Sequence, residues 1–139
     1  MKTFSWLPLA ILSVLLWGVW GFFQKLATNN MPPRNVYIFA TAGALCVVGS
    51  VVATSGFPLN VTGKGVLYAV LAGACSSLGG LLFLNALSRG TASIVIPFTA
   101  LYPVVTIFLC FSLLNETVTL KQGIGIVLAL ISMFLLSQQ

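Results

Sequence analysis

Hydrophobic residues run through this chain in five long blocks, and nearly every gap between them carries a charged side chain. The charge-free stretches extend from Thr3 to Gln24, Asn35 to Gly63, Gly65 to Ser88, Gly90 to Asn115 and Gln122 to Gln139. Each of the first four is long enough for one helix across a hydrocarbon core of about 30 Å, and none is long enough for two. The fifth reaches roughly the 17-residue minimum for a crossing. The pattern predicts an all-α integral membrane protein with five transmembrane helices, near Trp6–Leu26, Asn35–Ala53, Gly65–Ser88, Ala92–Leu114 and Thr119–Leu136.

The gaps supply the stops and starts. Pro32-Pro33 cannot continue a helix and separates the first two spans. Gly56 and Pro58 punctuate the chain after the second. Gly90 fits a C-terminal glycine cap on the third span, and Thr91 can cap the fourth. Thr119-Leu120-Lys121-Gln122 matches a capping box opening the fifth. Connections this short make neighbouring helices antiparallel and adjacent.

Composition reinforces the membrane reading. With 59% hydrophobic and 5% charged residues, a chain of 139 residues cannot cover the surface of a soluble domain. The net charge of +5 is dispersed among loops, not clustered as nucleic-acid binding requires, so no nucleic-acid partner is expected. One domain covers residues 1–139, with no linker or low-complexity tract. Lys2 precedes an apolar run from Trp6 to Phe23 that exceeds the about 7–15 residues of a signal-peptide core, and no A-x-A-like site follows at Leu26-Ala27-Thr28. The run reads as an uncleaved first helix. Cys46, Cys75 and Cys110 lie inside apolar runs, lack CxxC spacing and have no histidine to join them, so neither a zinc site nor any other cofactor is expected. They read as packing residues.

The placement of the cations is more informative than their number. Five crossings put Lys2, Lys64 and Lys121 on one face of the membrane and Lys25, Arg34 and Arg89 on the other. An excess of Lys and Arg in cytoplasmic loops normally fixes orientation. Three against three gives almost no bias, a pattern compatible with insertion both ways up.

Polar and small residues inside the spans mark candidate faces. Lipid gives helices little hydrophobic reason to associate, so small residues must permit close backbone approach. The third span offers Gly73/Ser77 and Ser76/Gly80, and the fifth offers Gly125, Ala129 and Ser132 along one face. Packing within the monomer and a subunit interface both account for such faces. The fifth span is the better interface candidate, because an odd terminal helix lacks a sequential partner on one side. In the fourth span Pro97 and Pro103 each remove a backbone donor, so a bend is expected there, as a simple kink or beside a cavity. Thr99, Tyr102 and Thr106 form a polar stripe beside it. In the first span Ser13, Trp17, Trp20 and Gln24 recur at helical spacing, and Trp17 lies deeper than an interface belt requires. Asn85 is polar deep in the third span and needs a partner or water. Glu116, the single acid, lies at the membrane surface, where it stabilises the start of the fifth helix or pairs with a lysine. That position disfavours a proton relay built on an intramembrane carboxylate. Lys25 reads as the end of the first helix, free to snorkel. No nucleophile–base pair, carboxylate pair or phosphate loop supports an enzyme.

The run Leu16-Trp17-Gly18-Val19-Trp20-Gly21-Phe22-Phe23-Gln24-Lys25 resembles the first-helix signature of EamA-type proteins of the drug/metabolite transporter superfamily. So do Arg89-Gly90-Thr91-Ala92-Ser93, Pro97, Leu101-Tyr102-Pro103-Val104, Asn115-Glu116 and Gln122-x-x-Gly125, although the family usually has glycine where Asn115 stands. The similarity covers essentially the whole chain as one five-helix repeat, half of the family's inverted-repeat fold. Full-length members combine two such repeats inserted in opposite orientations, with a midplane cavity lined mainly by the first four helices of each and alternating access between faces. The resemblance and the balanced charges together imply a transporter of small metabolites, with amino acids and amphipathic compounds as candidates, that works as an antiparallel homodimer. Trp17, Trp20, Gln24, Asn85, Thr99 and Tyr102 are the expected substrate-binding residues, Pro97 and Pro103 the bend, and Gly125, Ala129 and Ser132 the dimer interface. Neutral polar and aromatic lining favours a neutral, zwitterionic or aromatic solute over a bare cation. A heterodimer with a second five-helix chain, or a non-transporting scaffold or regulatory subunit, is the alternative. The expected location is the cytoplasmic membrane of a bacterium or archaeon.

Overall fold

A computed structural model describes residues 6–55, 61–114 and 117–137. Among them six helical segments follow one another: α1 (Leu7–Asn30), α2 (Pro33–Ser55), α3 (Gly63–Arg89), α4 (Ala92–Thr99), α5 (Tyr102–Leu114) and α6 (Leu120–Ser137). Leu7–Asn30, Pro33–Ser55, Gly63–Arg89 and the combined span Ala92–Leu114 are long and apolar enough to cross a membrane, and a shorter apolar helix covers Leu120–Ser132. The five predicted crossings are therefore present as helices, the fourth as two pieces. Asn115, Glu116, Lys2, Gly56 and Pro58 lie outside the described residues.

Local chemistry sets the boundaries. α1 runs four residues beyond the expected Leu26, because its polar end bonds back onto itself. The Thr28 hydroxyl donates to the Lys25 carbonyl at 3.0 Å, the Asn30 amide to Leu26 at 2.7 Å, and the Met31 N–H to Ala27 at 2.9 Å. α2 starts at Pro33 and not at Asn35, since proline at the first helical position is pre-set in φ and its missing donor has no intrahelical role there. Thr62 starts α3 two residues early by accepting the Gly65 N–H on its hydroxyl at 3.2 Å. The capping box of α6 forms as its sequence indicates. The Thr119 N–H donates to Gln122 Oε1 at 2.8 Å, and the Gln122 N–H donates to Thr119 Oγ1 at 3.4 Å. Thr91 differs from expectation: it occupies the N-cap of α4, but its side chain makes no capping bond, and its carbonyl alone receives the N–H groups of Ile94 and Val95.

The chain forms two compact units, Met1–Ser88 and Arg89–Gln139. In the first, the buried residues gather at one end: Gly21 and Gln24 of α1, Val36 of α2, and Leu84 and Leu87 of α3. There Lys25 corrects the expectation of a snorkelling lysine. It lies inside α1, and its Nζ donates to the Leu87 carbonyl of α3 at 2.9 Å. Leu87 is in the last turn of α3, where carbonyls lack intrahelical donors and favour a cation. This bond brings the C-terminal ends of α1 and α3 together, so the two helices run in the same sense with Lys25 beside the end of α3. Trp20 stacks on Phe83 one turn away, with ring centroids 5.3 Å apart. Further along α3, a Cβ added at Gly73, Gly79 or Gly80 would meet nothing within 4 Å, so no close helix contact is made at these glycines.

In the second unit α4 packs against α6. The break at Ala100 and Leu101 falls between the two prolines. Pro97 and Pro103 cannot donate to the carbonyls of Ser93 and Thr99, and short bonds from Ala100 to Ile96 and from Leu101 to Phe98 close the end of α4. A cavity of 110 Å³ lies beneath the break, between Ala100, Pro103 and Val104 on one side and Ile126, Ala129 and Leu130 of α6 on the other.

Lys25→Met keeps the stem and removes the donor that joins α1 to α3. The first unit is expected to lose about 1.5–3 kcal/mol, a typical value for a hydrogen bond from a charged group. Detergent-unfolding curves of the two proteins check it; unchanged stability would mean that the bond is not structural.

Candidate functional site

Helical spacing places Trp20, Phe23, Gln24 and Ala27 on one face of α1. Val36, Phe39, Ala40, Gly43, Ala44 and Val47 form one face of α2. Between these faces lies an open groove of 470 Å³, within the usual size of small-molecule sites. Its lining is aromatic at Trp20, Phe23 and Phe39 and small at Ala27, Ala40, Gly43 and Ala44. No charged side chain lines it.

Gln24 stands apart in this lining. Its side chain is only 7% exposed, making it the buried polar residue among the described ones. Its neighbours Lys25, Thr28 and Asn30 all donate side-chain hydrogen bonds to backbone carbonyls, whereas the Gln24 amide forms none with the described residues. No fully enclosed side-chain polar atom among the described residues lacks a partner, so the Gln24 amide is not fully enclosed, and Gln24 is among the residues that line the groove. An amide so placed holds a donor and an acceptor ready in apolar surroundings, an arrangement that costs stability unless something pairs with it.

The structure brings together two of the sequence-selected residues, Trp20 and Gln24, and distributes the others. Trp17 is 62% exposed and does not line the groove. The Ser13 hydroxyl donates to Leu9 within its own helix. Asn85 is half-buried, and its Nδ2 donates to the Leu81 carbonyl at 2.8 Å, which answers its need for a partner. In the second unit the Thr99 hydroxyl is engaged with the Val95 and Ile96 carbonyls at 2.9 and 3.0 Å, and the Thr106 hydroxyl with Tyr102 at 3.3 Å. Tyr102 opens α5 with its ring largely exposed. Pro97 lies inside α4 and Pro103 in the first turn of α5.

A second groove, of 460 Å³, lies within the second unit. Thr106, Ile107, Cys110 and Phe111 of α5 face Gln122, Gly125, Ile126 and Ala129 of α6. A Cβ on Gly125 would meet nothing within 4 Å, so this small-residue face is open. Ser132 is exposed. The α2 wall of the first groove escaped the sequence reading. Its signal was the helical recurrence of Phe39 or Ala40, Gly43 or Ala44 and Val47, which lacks any polar member to draw attention.

Residues 4–138 match the EamA-like transporter family. The chain is 34% identical over 131 residues to an uncharacterized protein of Methanocaldococcus jannaschii, with 93% of each chain covered. It is 26% identical over 125 residues to a Sinorhizobium protein named an uncharacterized transporter in a cobO 3′ region, covering 88% of this chain and 89% of that one. No solved structure matches the chain significantly.

Replacing Gln24 by leucine removes an unpaired amide from apolar surroundings at nearly constant volume. Gln24→Leu is expected to raise stability by about 1 kcal/mol. Detergent unfolding reads this out; a loss of stability would reveal a structural partner for the amide.

Proposed function

The chain belongs to the EamA-like transporter family, and on that premise we propose that it moves small neutral or zwitterionic metabolites across a cell membrane as an antiparallel, dual-topology homodimer. The observation that carries the solute reading is the groove with Gln24 at its wall, a polar reader in an aromatic, uncharged lining. Trp20 and Gln24 line this groove, and Trp17, Asn85, Thr99 and Tyr102 are the further residues that meet the solute during transport in this reading. The break between Pro97 and Pro103 gives the fourth span a joint at which α4 and α5 change angle as access alternates.

The repeat supports the dimer reading. A single five-helix repeat is completed by an inverted partner into a two-fold cavity, and the two relatives match this repeat over 93% and 89% of their own length. The Lys25–Leu87 bond supports the charge partition, because it sets Lys25 beside the α3 end that carries Arg89. With Lys64 at the other end of α3, cations flank both ends of that helix. Gly125, Ala129 and Ser132 supply the dimer face in this reading, Gly125 and Ala129 lining the open groove and Ser132 exposed beyond it.

Reporters fused to the C-terminus, one active only inside and one only outside, are both expected to give signal. Two added lysines between Lys25 and Arg34 should silence one of them. A single fixed orientation would exclude the dual-topology homodimer and favour a heterodimer.

Liposome flux measured beside crosslinked dimer yield separates cavity from interface. Trp17→Ala, Thr99→Ala and Tyr102→Ala should reduce flux with little change in dimer yield. Gly125→Leu and Ala129→Leu should reduce dimer yield and flux together. Normal flux in folded cavity variants would remove those residues from the transport path.

A further inference from the structure

The α1–α2 groove restricts its solute more sharply than the transport reading alone. We infer that it recognises a planar, uncharged aromatic ring that carries a hydrogen-bond donor and acceptor side by side, the edge of a lactam or cyclic amide. This rests on the transporter reading for its biological role, but the binding site is argued independently.

Three observations converge. Gln24 is 7% exposed, forms no hydrogen bond with the described residues and lines the groove. Its primary amide offers one carbonyl acceptor and an adjacent N–H donor, which complement a lactam edge in two parallel bonds. The lining beside it is aromatic: Trp20 is braced by its stack on Phe83, and Phe23 and Phe39 line the same open groove. The floor is cut back at Ala40 and Gly43, and a Cβ at Gly43 would meet nothing within 4 Å, which leaves depth for a ring.

Charge selects against the other candidates. No cation or carboxylate lines the groove, so neither a carboxylate nor an ammonium would find a counter-ion to offset its desolvation. A lipid acyl chain would fit the apolar walls but would leave the amide unpaired. A lactam satisfies both. A site built to hydrogen-bond its ligand discriminates strongly against analogues lacking that group, whereas hydrophobic fit alone separates analogues weakly.

The test uses carbostyril, a bicyclic lactam, and its N-methyl derivative, which keeps the ring and carbonyl but lacks the donor. The full chain in lipid nanodiscs, with Trp6→Phe and Trp17→Phe, leaves Trp20 as the fluorescent reporter, and calorimetry on the unsubstituted chain gives the parent affinities against which this background is compared. Carbostyril should quench Trp20 and bind at least about tenfold more tightly than the N-methyl compound, the effect of one well-made hydrogen bond in apolar surroundings. Gln24→Leu should bring the two affinities within about twofold of each other by removing that bond. Gln24→Met repeats the measurement if the leucine variant fails to assemble. Phe39→Ala should weaken both ligands and preserve their ratio.

Equal binding of the two probes to the parent protein would overturn the inference. So would a preference that survives both Gln24 substitutions, or quenching of Trp20 by brominated acyl chains that carbostyril does not relieve, which would mark an acyl-chain groove. Liposome flux keeps the two readings apart. Gln24-dependent binding without carbostyril flux sustains the site and removes the transport role. Carbostyril flux indifferent to Gln24→Leu sustains transport and removes the site.

Discussion

A bilayer offers its helices almost no hydrophobic reason to cohere, and this protein is organised by that constraint. Large apolar side chains such as Leu12, Val47, Leu82 and Phe108 are exposed all along the helices, as they must be where lipid is the solvent. Cohesion is left to a few polar and close-packed contacts. In the first unit these concentrate around the bond from Lys25 to the Leu87 carbonyl, where a cation meets acceptors that no helix donor can reach. The buried residues of all three helices gather at this end. Away from it, at Gly73, Gly79 and Gly80 of α3, an added Cβ would meet nothing within 4 Å.

Gln24 sits one residue from that anchor and behaves in the opposite way. Most polar side chains within the helices resolve their needs locally: Ser13, Thr41, Thr54, Asn85, Thr99 and Thr106 all donate to carbonyls of their own helix. A buried amide without such a bond is a local inconsistency. Such inconsistencies tend to survive where function requires them. The same segment of α1 thus combines a lysine bonded across to α3 with a buried amide that makes no hydrogen bond to the described residues.

Much of the fold could be read from the chain because membrane crossing is a strict requirement on length and apolarity. Capping chemistry at Thr119 and Gln122 is equally strict and was legible in four residues. The split of the fourth span followed from two prolines. What could not be read was which partner each polar group would choose. Thr91 stands where a cap belongs, yet its hydroxyl makes no bond to the helix backbone. Lys25 has a long stem that reaches water or a neighbouring helix equally well, and only the approach of α3 decides. The stripe of Trp17, Trp20 and Gln24 was visible, but a stripe spans more arc than one groove. The α2 wall supplied by Phe39 and Gly43 is indistinguishable in sequence from ordinary lipid-facing residues.

The bond between Lys25 and Leu87 joins residues 62 positions apart. A ribosome adding about 5–20 residues per second needs roughly 3 to 12 seconds to cover that interval. For that time the first helix is made and its lysine has no carbonyl of α3 to meet. The contact therefore plays no part in the first helix's own entry into the membrane; it joins that helix to the third only once both are made.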